Sequence, residues 1–142
     1  MSDNFKFSVT DDAPLSDRDA IRKGIDDYNK QFVGHEHYQP LYILMRDDND
    51  EIVGGLVGAT YWTWLYVRFL WISDALRGHG HGSRIMQLAE EEARRRGCTD
   101  VHLDIYDFDS LNFYRKLGYG VWGRLDGIPE GYMRYFLKKQ LT

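Results

Sequence analysis

Arg77-Gly78-His79-Gly80-His81-Gly82-Ser83 is the stretch on which the reading of this chain turns. Three glycines alternate here with polar side chains, so the backbone can reach positive φ and come close to a ligand. The flanks fix the context. Leu65 to Ser73 upstream is a long aromatic-rich strand, and downstream Ile85, Met86, Ala89 and Ala93 share one face of a helix. A glycine loop between strand and helix leaves the first helical N–H groups without partners, and the helix dipole favours an anion beside them. The segment predicts a phosphate or pyrophosphate site.

Two nucleotide motifs do not fit it. A P-loop ends in Gly-Lys-Ser/Thr, which is missing here. A dinucleotide fingerprint needs Gly-x-Gly-x-x-Gly, and Gly78-x-Gly80-x-Gly82 has the wrong last spacing.

Working outward, Phe5 to Val9 alternates and reads as a strand, which Asp11-Asp12-Ala13-Pro14 breaks. Ser16 or Asp17 can cap a helix running to about Phe32, with Ile21, Ile25, Tyr28 and Phe32 on one face. Gly34 to Pro40 is loop, and Leu41 to Met45 is an apolar strand. The turn Asp47-Asp48-Asn49-Asp50 leads into a partner strand from Ile52. Gly54, Gly55 and Gly58 within that strand mark a bulge or a close backbone approach. Tyr61-Trp62-Thr63-Trp64 turns the chain.

Beyond the glycine loop, Glu90, Glu91 and Glu92 each precede an arginine by four residues, the favourable order for helical ion pairs. Gly97 stops that helix. Asp100 to Tyr106 is a strand with Val101, Leu103 and Ile105 on one face and His102 on the less buried one. Asp109 can cap a short helix, Leu111 to Leu117, ended by Gly118. Strands at about Tyr119 to Arg124 and Tyr132 to Lys139 complete the chain. The order β-α-β-β-β-α-β-α-β-β is that of a mixed α/β layer fold.

The whole composition agrees with one folded domain. The chain has 142 residues, 43% hydrophobic and 15% aromatic, with a mean hydropathy of -0.53. A net charge of -4 and a pI near 5.7 disfavour a sequence-blind nucleic-acid binder, and weakly favour a cationic substrate. One cysteine, Cys98, allows no intramolecular disulfide and suits a cytoplasmic setting. No run of about 18 apolar residues predicts a membrane span, and the polar start Met1-Ser2-Asp3-Asn4 lacks the regions of a signal peptide. His35, His37, His79 and His81 have neither the Cys pairs nor the His-Glu-x-x-His helix of a zinc site, so no metal is expected.

The glycine loop resembles the acyl-CoA pyrophosphate loop of the GNAT superfamily of N-acetyltransferases, Gln/Arg-x-x-Gly-x-Gly/Ala. Downstream, Phe113-Tyr114-Arg115-Lys116-Leu117-Gly118-Tyr119 is similar to the family's Phe-Tyr-x-Lys-x-Gly-Phe/Tyr segment. The tyrosine-rich last strand, Arg134 to Lys139, resembles that of bacterial members. The likeness extends over nearly the whole chain and implies a single domain, 1–142. Its fold would be a mixed, mostly antiparallel central sheet flanked by helices.

The resemblance implies direct transfer of an acetyl group from acetyl-CoA to a primary amine of a small molecule or protein. The backbone of Ile72 and Ser73 would pair with the pantetheine arm. Arg77, Gly78, His79, Gly80, Gly82 and Ser83 would surround the pyrophosphate, and Tyr114 would stand as general acid to the leaving thiolate. An N–H near Ile72 would receive the developing oxyanion.

Departures from the pattern keep other readings open. Asp107 and Ser110 stand where the family commonly has Asn and Ala, so Asp107 can accept but not donate a hydrogen bond to pantetheine while ionised. The strand before the loop lacks the glutamate that many relatives use as base. Asp74, Asp104, His35, His37 and a water chain are the alternatives. A binding module that senses acyl-CoA without turnover is the second reading.

Tyr61, Trp62, Trp64, Tyr66, Phe69 and Trp71 are more aromatics than one core face needs; they suggest a pocket wall and a contact between copies. Homodimers are common in the family, and Gly123 to Tyr135 could supply the contact.

Overall fold

The computed structural model describes residues 4–106, 108 and 110–142. Its chain divides into two compact units, residues 1–36 and 37–142.

The first unit holds one helix, α1 (Leu15–Val33). Its first turn closes on the carbonyl of Pro14, which accepts from the N–H groups of Asp17 and Arg18. Pro14 therefore sits at the cap, its φ of -55° already helical and its ψ of 147° extended. Ser16 and Asp17, expected as caps, lie inside the first turn instead. Tyr28 and Phe32 lie one turn apart with tilted rings and centroids 5.2 Å apart. The strand expected at Phe5 to Val9 does not form. Phe7 and Val9 are fully exposed. Alternation supplies one apolar face, but a strand exists only where a neighbour takes up its N–H and C=O groups, and this segment has no ladder among the described residues.

The second unit is a six-stranded sheet. Its elements are β1 (Gln39–Arg46), β2 (Ile52–Tyr61), β3 (Trp64–Ile72), a 3₁₀ turn (Asp74–Leu76), α2 (His81–Arg95), β4 (Asp100–Tyr106), α3 (Leu111–Lys116), β5 (Gly120–Asp126) and β6 (Met133–Gln140). The spatial order is β1-β2-β3-β4-β6-β5. All neighbours are antiparallel except β3 and β4, which the α2 crossover makes parallel. The α/β class, the mixed sheet and the flanking helices are as expected from the sequence.

Alternation decides what each face does. Leu41, Leu56, Leu65, Val67, Val101, Leu103 and Leu137 point one way and are buried. Ile85, Met86, Ala89 and Ala93 of α2 complete that core, and full burial of each larger side chain contributes roughly 1.5–3 kcal/mol. Tyr66, His102, Asp104, Tyr106, Arg134 and Phe136 point the other way.

Both helices of this unit end on a glycine in the left-handed region. Gly97 (φ 87°) and Gly118 (φ 96°) close paired hydrogen bonds back to the last turn. In α2 Cys98 donates to Ala93 and Gly97 to Arg94; in α3 Tyr119 donates to Tyr114 and Gly118 to Arg115. The first of these motifs buries Cys98, whose thiol pKa is pushed up by burial. The second folds Tyr119 back beside Tyr114, with ring centroids 5.7 Å apart.

The charged end of α2 is solvated at Glu91, Arg94 and Arg95, while Glu90, Glu92 and Arg96 turn inward. Glu92 pairs with Arg95 and Arg96, each at 2.9 Å. Glu90 is buried, accepting from Tyr119 Oη and Lys139 Nζ at 2.8 Å each. Arg96 reaches the carbonyls of Gln39 and Pro40. These contacts fasten α2 to β1 and β6.

Candidate active site

The site begins with a fault in the sheet. Gly58 pairs with Val67 and Val57 pairs with Phe69, so Arg68 is an extra residue in β3. A bulge bends its strand and re-aims the residues beyond it. Leu65 and Val67 face the core before it, and Leu70 and Ile72 pack on the core after it. The same bulge ends the partnership of β3 with β4, whose last pair is Val67 with Leu103. Beyond that point the two parallel strands part. Gly58 permits the close approach, because a Cβ there would stand 2.4 Å from the Tyr66 carbonyl oxygen.

Parting leaves backbone groups without a ladder. Ser73 donates its N–H to the Val53 carbonyl, and its own carbonyl accepts from Leu76. Hydrogen-bonded pairs alternate along an antiparallel ladder. Trp71 and Phe69 therefore also turn toward β2, while Leu70 and Ile72 turn toward the gap. Ser73, expected beside Ile72 as a backbone partner for the cosubstrate, has its N–H on Val53 and its carbonyl on Leu76, while Leu70 and Ile72 face the gap.

The gap leads to the glycine loop. Gly78 and Gly80 both adopt φ of 82°, and α2 starts at His81 with no side chain capping it. The N–H groups of His81, Gly82 and Ser83 have no intrahelical acceptor, whereas Arg84 donates to the Gly80 carbonyl. A Cβ on Gly82 would press on the Phe113 ring at 3.2 Å. Arg77 is held by Asp74 at 3.1 Å and donates from Nε to the Ile72 carbonyl at 3.2 Å.

A cavity of about 740 Å³ runs along this surface. Ile72, Arg77, Gly78, Gly80, Gly82 and Ser83 line it as expected. His79 does not, and His81 lines it instead. Leu70, Leu76 and Phe113 were not foreseen. Asp107 lies outside the described residues, as does Asp109. Donors at an open helix N-terminus fit a pyrophosphate.

A second cavity of about 600 Å³ adjoins the first and shares Leu70, Trp71, Phe108 and Ser110 with it. Tyr114 lines its inner end. Only 5% of Tyr114 is exposed, and burial pushes its phenol up to about 12.

The outer wall belongs to the sheet face away from α2. Asp104 accepts from both Arg134 Nε, at 2.8 Å, and Arg134 Nη2, on the same oxygen, Oδ2. The Tyr66 hydroxyl donates to Asp104 Oδ1 at 3.4 Å. The guanidinium lies 5.5 Å from the ring centroids of Tyr106 and Phe136. His102 stacks on Tyr66 with centroids 4.9 Å apart, and its Nε2 lies 2.6 Å from Tyr61 Oη. Burial pushes the His102 pKa down.

Of the base candidates, Asp104 reaches this cavity, but Arg134 and Tyr66 engage both its oxygens. Asp74 is exposed beside Arg77. Tyr66, Phe69 and Trp71 form the pocket wall that their number suggested. Among the described residues no three His, Cys, Asp or Glu side chains gather as a metal site, and no helix is long and apolar enough to cross a membrane.

Comparison with known proteins agrees with this geometry. Residues 9–119 match the model of the acetyltransferase (GNAT) family. An acetyltransferase of Agrobacterium fabrum is 35% identical over 134 residues, covering 94% of this chain and 98% of that one. The blasticidin-S acetyltransferase of Streptomyces morookaense is 37% identical over 95 residues, 66% of this chain and 70% of its own. A crystal structure from Agrobacterium tumefaciens, of a protein assigned as an acetyltransferase, superposes with a TM-score of 0.91 at 34% identity. It covers 96% of this chain and 100% of its own. A glycine loop at an open helix end, a parted pair of parallel strands and these relatives lead to one conclusion: the chain belongs to the GNAT family and is an acetyl-CoA-dependent N-acetyltransferase.

Proposed function

We propose that the acceptor is a primary amine, on a small molecule or a protein, and that residues 1–142 act as one acetyltransferase domain. The observation that carries this reading is the parting of β3 from β4. It sets two cavities side by side, one ending at unpartnered backbone donors and the other at a polar, aromatic face. Direct transfer needs both substrates in adjoining sites. A volume near 600 Å³ suits a small-molecule acceptor.

In this reading the N–H groups of His81, Gly82 and Ser83 receive the pyrophosphate, with Gly78 and Gly80 clearing the way and Arg77 beside them. Leu70 and Ile72 pair through their backbones with the pantetheine arm. One of their N–H groups receives the thioester oxygen as charge grows on it, a role worth a few kcal/mol. Tyr114 stands at the sulfur. A phenol near 12 is a weaker acid than a thiol near 8.5. Tyr114 therefore stabilises the departing thiolate by donating a hydrogen bond while keeping its proton.

An alkylamine with a pKa near 10 is about 0.1% neutral at pH 7, so its proton must leave before or during attack. Asp104 is tied to Arg134, and water on the open face takes that proton.

The single cysteine, buried, supports a cytoplasmic setting. Edge strand β5 and the turn after it, with Trp122, Leu125 and Ile128 exposed, support a homodimer through residues 123–135 and the strand edge beside them. Sedimentation of Trp122→Lys beside the parent chain checks that contact.

The direct test of the function is thiol release from acetyl-CoA in the presence of a panel of primary amines. Steady release that depends on the amine is expected. Tight acetyl-CoA binding with no release for any amine, small or peptidic, would instead support the sensing module.

A further inference from the structure

Among the described residues, three charged side chains line the outer cavity: Arg68, Asp104 and Arg134. Their sum is positive, although the chain as a whole carries -4. Local sign decides what a pocket attracts, so the acidic surface is a poor guide here.

Arg134 is built as a presented donor. Guanidinium has five N–H bonds in a planar fork. Two of them, from Nε and Nη2, go to a single oxygen of Asp104. The remaining Nη2 hydrogen and both on Nη1 have no acceptor among the described residues. One of these on each Nη lies along the end edge of the fork, which grips a carboxylate or a phosphate by two parallel bonds. Tyr106 and Phe136, each 5.5 Å away, hold the plane, and Asp104 holds its inner edge. Asp104 is thus a positioning residue for Arg134. Arg68, the extra residue of the β3 bulge, adds a second cation on the same wall and has no ion-pair partner among the described residues.

We propose that the acceptor carries an anionic group, a carboxylate or phosphate, as well as its amine, and that the free edge of Arg134 receives it, with Arg68 in support. This rests on the outer cavity being the acceptor site. The aromatic walls of Tyr66, Phe69 and Trp71 then take the carbon skeleton between the two polar ends. Bidentate recognition is short-range and directional, so a lysine keeps the charge and loses the grip.

The test uses matched amines that differ only in charge. Glycine, 4-aminobutyrate and 6-aminohexanoate are each set beside their amides, and O-phosphoethanolamine beside ethanolamine. Affinity for the protein saturated with coenzyme A is measured by calorimetry, and thiol release from acetyl-CoA is measured in parallel.

At least one acid should exceed its neutral partner by about tenfold or more in affinity. The carboxylate and phosphate arms identify the group. Arg134→Lys should shrink that ratio severalfold, chiefly through KM where turnover is seen, and Arg68→Gln should shrink it less. Acetyl-CoA affinity of each variant reports its folding.

Equal affinity for acids and neutral partners overturns the proposal, as does a ratio unchanged in both variants. Acid-selective binding lost in Arg134→Lys, but with no thiol release, sustains the proposal and removes the acetyl-transfer reading.

Discussion

The two cavities are made in opposite ways. The inner one is built from backbone: the glycine loop, the start of α2 and the freed groups of Leu70 and Ile72 are close in sequence, and their side chains matter little. The outer one is built from side chains on three strands. Tyr66 and Asp104 are 38 residues apart, and Asp104 and Arg134 are 30 apart. A backbone site tolerates change in charge and fails when atoms are added. A side-chain site tolerates added bulk at its rim and fails when a charge or donor is lost. The difference teaches that one chain can keep its donor fixed while its acceptor varies, because separate residues specify the two.

The largest effect should come from the element that makes both cavities at once. In Gly58→Ala the new Cβ would lie 2.4 Å from the Tyr66 carbonyl oxygen, closer than packing allows. The bulge must move, and with it Tyr66 and the parting of the strands. A loss of about 2–4 kcal/mol in denaturant unfolding is expected, with both binding functions weakened together. Loss of one function alone would show that the bulge does not join them.

A smaller effect should appear at Tyr114, on the wall of the outer cavity. On the proposed mechanism Tyr114→Phe removes one hydrogen bond to the leaving sulfur and should lower kcat about 10²-fold, with little change in acetyl-CoA affinity. Because burial holds the phenol near 12, the parent profile should show no step from this group below about pH 11. Activity unchanged within about twofold would take Tyr114 out of the chemistry.

The smallest belongs to the outer face alone. The folded-state pKa of His102 lies below the usual value because burial disfavours its charge. As pH falls through about 6.5, the unfolded chain takes up a proton that the folded chain resists, so this contribution to stability declines. Melting temperature should therefore drop between pH 7.5 and pH 5.5, and drop less in His102→Gln. Acetyl-CoA binding should not track that change.

Legibility in the sequence divides along the same line. The glycine loop, the helix after it and the Gly118 stop are local features, decided by neighbours within a turn or two. They were legible, as was the place of Tyr114 on α3. Gly54, Gly55 and Gly58 marked a bulge or close approach, and Gly55 and Gly58 do sit 2.4 Å, Cβ to oxygen, from neighbouring strands.

Which residue was extra could not be read, because a bulge is a mismatch between two strands and neither shows it alone. That hid which way the N–H groups of Leu70 and Ser73 point, because those directions depend on strand pairing. It also hid Asp104, whose grip on Arg134 needs β4 and β6 side by side. Phe5 to Val9 failed for the same reason: its alternation was real, and among the described residues no strand pairs with it. Glu90 was legible only as one of three acids spaced for helical ion pairs, and the closed fold brings Tyr119 and Lys139 to it.

The central claim is that the glycine loop and the open end of α2 bind acetyl-CoA through backbone. Calorimetric titration with acetyl-CoA of the parent chain beside Gly80→Trp tests it most directly. A Cβ on Gly80 meets nothing within 4 Å, so the added ring enters the groove, and the φ of 82° there also disfavours it. The account predicts micromolar binding that the substitution abolishes while the fold, followed by circular dichroism, remains. Equal affinity in the two proteins would contradict it. So would a parent chain that fails to bind up to about a millimolar, an affinity below roughly 4 kcal/mol.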